Sequence, residues 1–461
     1  MASSHPIGSE WRQQTHEVAA TVPSPGTGPQ SMQPEMSRSL EELQLRIHRK
    51  LVERLKPEDI LKLPESIRRA EIRSAIERLL DSDRENLNLM ERKEILDRLL
   101  DDIFGLGPIE RLLKDPHITD ILVNGANQVY VERHGRLEEV PVQFRDNEHL
   151  LEVILRIVAR VGRRVDEASP MVDARLPDGS RVNAIIPPLS LRGPTLSIRR
   201  FGVRPLRLHD LLERHSVTPE MALVLESAVK ARLNLLVSGG TGSGKTTLLN
   251  ILSAFIPHEE RIVTIEDAAE LQLQQRHVVQ LESRPPNVEG KGEVTIRDLV
   301  RNSLRMRPNR IVVGECRGSE ALDMLQAMNT GHEGSMTTLH ANSPRDALFR
   351  LENMLLMTGL EMPLKAIRQQ IASAINVIVQ VDRMPGGARR ITSISELVGL
   401  ESDVIQLQEL FLYKPQGVDP TGKTFGTFEA TGVHPHFSPK LKAAGAALDA
   451  TLFAPRVLMR A

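Results

Sequence analysis

The chain of 461 residues has a single cysteine, Cys316, and only 3% aromatic residues. One thiol excludes an internal disulfide framework and a multi-cysteine zinc site, and it is consistent with a reducing compartment. So few rings leave few stacking platforms for single-stranded nucleic acid. Neither sign of charge is in excess, since the formal net charge is −1 with 26% charged residues. The overall balance therefore does not point to nucleic acid, although local patches are not excluded by that sum. No apolar run approaches the roughly 20 residues that cross a bilayer. Met1 to Glu10 carries neither the basic nor the apolar region of a signal peptide. These absences predict a soluble chain, with any membrane role coming through partners or surface contact. The length leaves room for roughly two to four domains and a large core.

What is present is more specific. The short apolar run Leu233-Asn234-Leu235-Leu236-Val237-Ser238 is followed at once by Gly239-Gly240-Thr241-Gly242-Ser243-Gly244-Lys245-Thr246-Thr247. Leu248, Leu249, Ile251 and Leu252 come next at helical spacing. Strand, loop and helix in that order, with G-x-x-x-x-G-K-[ST] from Gly239 to Thr246, describe a phosphate-binding loop. Glycines let backbone N–H groups turn inward around a polyphosphate, and the helix N-terminus adds its positive end. Lys245 can reach the β- and γ-phosphates, and the Thr246 hydroxyl can ligate Mg²⁺. The pattern predicts a chain that binds a nucleoside triphosphate.

The rest of the chain divides by composition. Residues 1–38 are rich in Ser, Pro, Gly and Gln and too poor in apolar residues to offset their ordering entropy, which predicts a disordered tail containing Trp11. Residues 39–105 read as a small helical bundle. Ser39-Leu40-Glu41-Glu42 has capping-box spacing, and Leu40, Leu43, Ile47, Leu51 and Leu55 follow as a stripe. Ile67, Ile72, Ile76, Leu79 and Leu80 mark a second helix; Leu89, Leu96, Leu99, Leu100 and Ile103 mark a third. Its many Arg and Glu residues describe a solvated face or a partner-docking surface. Residues 106–201 read as a compact α+β domain. Strands are expected at 118–125, at 128–132, on either side of Asp178-Gly179 and at 195–201, with a helix from Leu150 to Val161. Residues 202–215 make a hinge. Residues 216–384 alternate short apolar runs with helices, which predicts an α/β domain with a largely parallel sheet. Residues 385–461 read as a C-terminal accessory subdomain.

In a parallel sheet the ligand sits at the carboxyl ends of the strands. Three runs after the phosphate loop end in polar residues there. The first ends with Glu266 and Asp267 and is followed by Glu270; the second ends with Glu315; the third ends with His340. Phosphoryl transfer to water needs a metal site, a group that orients the water and cations for the developing charge. Glu315 stands where a Walker-B carboxylate belongs, and Thr246 with a carboxylate acting through water suits Mg²⁺. His340 can donate to or accept from a γ-phosphate or a sensing water, or serve the structure alone, as His332 does. Arg181, Arg199 and Arg200 lie outside this domain and are open to two readings. They are surface charge, or they face a phosphate across an interface as an arginine finger does.

Several stretches resemble the secretion-ATPase superfamily of type II and type IV secretion and type IV pili. Thr264 to Leu271 is similar to its Asp box, Gly314-Glu315-Cys316-Arg317-Gly318 to its Walker B and Gly331 to Ser343 to its His box. Within that group the chain most resembles the CpaF family, also called TadA, of tight-adherence (Flp) pilus systems. The telling stretch runs from Leu281-Glu282-Ser283-Arg284-Pro285-Pro286-Asn287, through Glu289-Gly290-Lys291-Gly292-Glu293, to Leu304-Arg305-Met306-Arg307-Pro308. Similarity extends from about Leu99 to the C-terminus. The resemblance implies a RecA-like P-loop core preceded by the α+β domain and the helical bundle, in a cytoplasmic homohexameric ATPase using ATP and Mg²⁺. Its cycle would act on polytopic inner-membrane platform proteins to drive pilin assembly, with no nucleic acid and no membrane insertion.

Carried over position by position, the resemblance gives Gly239 to Thr247 the nucleotide and Thr246, Glu266 and Asp267 the metal side. Glu315 becomes the water-polarising carboxylate, Glu266 and Glu270 metal or water contacts and His340 a γ-phosphate contact. A neighbouring subunit's arginine would be Arg181, Arg199 or Arg200. Two departures stand out. Asn309 occupies a position expected to be acidic, so a local ion pair is expected to be missing, and the four-cysteine zinc motif of many pilus-extension ATPases is absent. Alternatives are a conjugation-type secretion ATPase, a pilus-retraction ATPase, or a nucleotide-dependent regulatory protein that switches without turnover.

Overall fold

The computed structural model describes residues 38–54, 64–83, 87–133, 135–200, 206–286, 291–359 and 361–461. The expected tail over 1–37, the turn at Pro57, the head of the expected hinge at 202–205 and the family-like Asn287 lie outside them. The chain divides into two compact units, Met1–Leu100 and Asp101–Ala461.

In the first unit, the helix Arg38–Arg54 buries Leu43, Ile47 and Leu51, four residues apart and therefore on one face. Ser39, expected as the capping residue, falls within the bounds of this helix. The helix Glu65–Ser82 buries Ile72, Ile76, Leu79 and Leu80, whereas Ile67, expected on that stripe, is exposed. The helix Leu89–Phe104 buries Ile95, Leu96, Leu99 and Leu100. Leu89 is its first residue and is exposed. Asn88 Oδ1 accepts from the N–H groups of Met90 and Glu91, and the Asn88 N–H donates back to Glu91, which closes the helix start reciprocally.

The second unit opens on a six-stranded antiparallel sheet. Its strands are β1 (Ile118–Asn124), β2 (Val129–Arg133), β3 (Arg136–Val140), β4 (Met171–Arg175), β5 (Arg181–Ile185) and β6 (Thr195–Arg199), in the order β3-β2-β1-β6-β5-β4. The helix Asn147–Arg160, capped by Asp146 through the His149 N–H, lays Leu150, Val153, Ile154 and Ile157 on the face formed by Ile121, Val123, Val131, Val182 and Ile198. Strand β3 is absent from the sequence expectation. Arg136-Leu137-Glu138-Glu139-Val140 is an exposed edge without the alternation that marks a half-buried strand.

The remaining strands form one ten-stranded sheet: β7 (Leu235–Gly239), β8 (Ile262–Glu266), β9 (Val278–Glu282), β10 (Arg310–Cys316), β11 (Met336–His340), β12 (Val377–Arg383), β13 (Arg389–Glu401), β14 (Val404–Val418), β15 (Thr424–Ala430) and β16 (Arg456–Arg460). Their order is β16-β15-β14-β13-β12-β7-β11-β10-β8-β9, and every pairing from β12 to β9 is parallel. Both faces are covered. Leu235 and Val237 pack into one apolar cluster and Leu236 into the other, as do Val312 against Ile311 and Val313. Two-sided burial is why these strands read as continuous apolar runs. Over 385–461, where an accessory subdomain is expected, β13 to β16 extend the same sheet antiparallel from β12. Gly386 and Gly387, at φ +83° and +86°, make the tight β12–β13 turn and do not mark a linker.

Candidate nucleotide site at the carboxyl edge of the sheet

Strand β7 runs between β11 and β12 and ends in the glycine loop. A Cβ at Gly239 would stand 2.2 Å from the Val381 carbonyl oxygen and 2.5 Å from Ser243 Oγ, so only glycine fits. Gly242 and Gly244 adopt φ of +69° and +99°, and Gly244 directly precedes the helix Lys245–Ser253. Lys245 Nζ donates to the Gly240 carbonyl at 3.1 Å. Burial lowers its pKa, Glu315 opposes that, and the cations Arg317, Arg199 and Arg350 lower it further. A lysine set among like charges is primed for an anion.

The parallel neighbours deliver the other groups. In register, His340 of β11 lies opposite Gly239. Burial lowers its pKa, as does Lys245, so the ring is neutral at pH 7 and can both donate and accept. Glu315, near the end of β10, contributes to the fields at both Lys245 and His340, and its Oε2 accepts from Arg317 Nη2 at 2.6 Å. Arg317 Nη1 stands 3.7 Å from Asp267 Oδ2, so one guanidinium spans the two carboxylates. Asp267 also accepts from Ser283 Oγ at 3.0 Å.

Glu266, at the end of β8, is 3% exposed. Its Oε2 accepts from the N–H groups of Glu270 and Leu271 at 2.8 and 3.0 Å, while Oε1 has no partner. Burial outweighs those two hydrogen bonds and pushes its pKa up to about 7. Gly314 of β10 makes room for it, since a Cβ there would lie 2.9 Å from Glu266 Cγ. A buried carboxylate oxygen without a partner among the described residues, at the carboxyl end of a parallel strand, suits a hard cation or its water.

The remaining predicted residues divide. Arg181 Nη1 pairs with Glu270 at 3.1 Å, and Arg175, which the sequence did not single out, pairs with Glu282 at 2.8 Å and donates to the Ala269 carbonyl at 2.8 Å. Both join the antiparallel sheet to the segment after β8 within one chain. Arg200 donates to the Asp115 and Ile118 carbonyls inside its own sheet domain. Arg199 contributes to the field at Lys245. Asn309 uses its side-chain oxygen to accept the Arg261 N–H at 2.8 Å, a neutral acceptor at that corner. Arg350, Arg383 and Arg389 also surround the loop and were not foreseen. Arg350 donates to the His340 carbonyl, and the signal for the other two is sheet adjacency, which sequence spacing does not carry.

No helix among the described residues is long and apolar enough to cross a membrane. The family model for "Type II/IV secretion system protein" matches residues 103–425. A Mycobacterium tuberculosis protein named for conjugal transfer is 40% identical over 309 residues, 66% of this chain and 87% of that one. The type IV secretion system protein VirB11 of Brucella suis is 33% identical over 305 residues, 60% of this chain and 84% of that one. Among solved structures, the pilus retraction motor PilT with bound ADP is 20% identical, covers 64% of this chain and 83% of its own, and has a TM-score of 0.48. With the model spanning most of the chain and the glycine loop, Glu315 and His340 gathered on one sheet edge, the protein belongs to the type II/IV secretion system protein family.

Proposed function

We propose that this chain is a motor ATPase that hydrolyses ATP with Mg²⁺ to drive a pilus-assembly or secretion machine of the cell envelope. The observation that carries this is the placement of Glu315 and His340 in the electrostatic field of Lys245 at the mouth of the glycine loop. The loop backbone and Lys245 bind and orient the polyphosphate. Thr246, Glu266 and Asp267 are the residues that would hold Mg²⁺, which supplies charge neutralisation between phosphate oxygens. Glu315 polarises the attacking water once Arg317 releases it, and neutral His340 donates to the terminal phosphate. Glu270 positions the segment after β8 through Arg181. Of the three candidate fingers, Arg199 is favoured, because Arg181 and Arg200 already have partners.

Steady-state phosphate release tests the reading. Wild type should turn over, Glu315→Gln should fall by about 100-fold or more while still binding ATP, and Lys245→Ala should lose binding. Absence of Glu315-dependent release would leave a regulatory switch instead of a motor. We further read residues 106–201 as the nucleotide-facing N-terminal domain, residues 216–384 as the ATPase core and the working form as a homohexamer. Its place is cytoplasmic, at the inner membrane through polytopic platform proteins. The Flp pilus assignment follows from the CpaF-like stretch over 281–308. The second reading, a conjugation-type secretion ATPase, is favoured by what the Mycobacterium and Brucella relatives are named for. Light scattering with Mg²⁺ and ATP that detects only monomer would count against the ring.

A further inference from the structure

The β12–β13 hairpin brings two arginines to the phosphate loop from far along the same chain. Strand β12 lies parallel beside β7, with Gln380 opposite Ser238, so its end emerges beside the glycine loop. Arg383 is the last residue of β12 and Arg389 the first of β13, and the two are direct cross-strand partners. Like charges opposite one another destabilise a strand pair. Neither arginine forms an ion pair among the described residues. Arg389 Nε donates to the Gly242 carbonyl at 2.9 Å, and Arg383 Nη2 donates to the Gly135 carbonyl of the β2–β3 turn. Arg389 Cδ would touch a Cβ at Gly244 at 3.4 Å, and Arg383 Nη1 one at Gly242 at 3.6 Å, so both guanidinium groups border the loop. The charges around Arg389 are Arg383, Arg214 and Arg199, with Glu132 offsetting them in part. Glu315 and His340 act instead on Lys245. In the sheet, β12 and β13 lie on one side of β7 and the strands of His340 and Glu315, β11 and β10, on the other, so the cationic hairpin borders the loop on the side away from the hydrolytic groups.

We propose that Arg383 and Arg389 form a second cationic arm of the nucleotide site, supplied by the same chain, that takes the non-transferred phosphates of a nucleoside di- or triphosphate. This deepens the reading that the glycine loop binds nucleotide and rests on it. The geometry supplies the physical need: two arginines are cross-strand partners without an ion pair among the described residues, Glu132 offsets their charge only in part, and a polyanion relieves the repulsion that is left. Their donors not used on Gly242 and Gly135 match a phosphate's planar pair of oxygens. Because ADP and ATP share those phosphates, the arm contributes equally to both and acts on affinity more than on the chemical step.

The test is equilibrium binding of fluorescent ADP, with ATP as competitor, to the full chain in Mg²⁺, alongside thermal unfolding with and without ADP. Arg389→Ala and Arg383→Ala are each expected to raise Kd for ADP and ATP alike by about tenfold, with kcat at saturation within about twofold. Arg389→Lys, which keeps the charge but not the planar fork, should recover part of the loss. Without nucleotide the alanine variants should unfold at the same temperature as wild type or higher, and their ADP-induced shift should shrink. A merely structural arginine would do the reverse and lower the unliganded Tm. Wild type that binds while Lys245→Ala does not, with both hairpin variants binding as wild type, overturns the arm and leaves the loop reading intact. Wild type that binds neither nucleotide overturns both.

Discussion

At the scale of single residues, Glu266 has a measurable pH signature. Its carboxyl is pushed up to about 7 by burial, against 4.5 for the ordinary group. A raised carboxyl pKa means that the folded chain holds a proton the unfolded chain has released. That contribution to stability is complete below about pH 4.5 and is lost as pH rises through about 7. Glu266→Gln stays neutral and can still accept from the Glu270 and Leu271 N–H groups. It should therefore raise Tm at pH 8 more than at pH 5.5 in differential scanning fluorimetry without nucleotide. An equal or larger gain at pH 5.5 would contradict the assignment. Gly239 makes a second single-residue case. Gly239→Ala drives a Cβ against the Val381 carbonyl, so the backbone of the loop must move. Nucleotide affinity is expected to fall at least tenfold in a titration, with the secondary structure by circular dichroism retained.

At the scale of elements, the parallel half of the sheet carries a buried charge at its amino edge. Arg310, the first residue of β10, is fully buried, and Nε and Nη2 meet the two Glu260 oxygens at 2.7 and 3.0 Å. Its Nη1 donates to the Val229 and Gly334 carbonyls. Burial works against the Glu260 charge, but the Arg310 hydrogen bonds prevail and hold its pKa below the ordinary value. Glu260→Ala leaves the guanidinium buried without its counter-charge, so chemical denaturation should report a loss of about 3–5 kcal/mol.

Legibility from sequence follows the same division between elements. The phosphate loop, Glu315 and His340 could be found because each closes a short apolar run, and two-sided burial makes such runs conspicuous. Strands β13 to β16 could not, since exposed residues interrupt their apolar runs, as in β14 and β16, and the glycines from Gly417 to Gly432 look like loop composition. The Arg383–Arg389 pair was hidden for a further reason. Its neighbour Gly242 is more than a hundred positions away, and only the β7–β12 pairing brings them together. Arg200 marks the opposite limit: its position beside Arg199 suggested a shared role, yet alternation along a strand sends adjacent side chains to different surroundings.

At the scale of the whole molecule, Arg175 and Arg181 connect the antiparallel sheet domain to the segment after β8. Both pairs are partly exposed, so each contributes about 1 kcal/mol or less. The double variant Arg175→Ala, Arg181→Ala should therefore leave Tm nearly unchanged while loosening the join. Small-angle scattering should record a larger radius of gyration without nucleotide and a return towards the wild-type value with Mg²⁺ and ATP. An identical radius in both conditions would show that these pairs do not set the spacing.

The Gly239 backbone is wedged against Val381, two residues before the end of β12, the strand that hands over to the antiparallel half. A few tenths of an ångström of travel in the loop cannot be absorbed locally, because the Val381 carbonyl, Ser243 Oγ and Val381 Cγ1 crowd the same spot. Whatever displaces the loop must also push the hairpin, and with it the three strands β14 to β16, so the sheet behaves as a lever with its fulcrum at the phosphate.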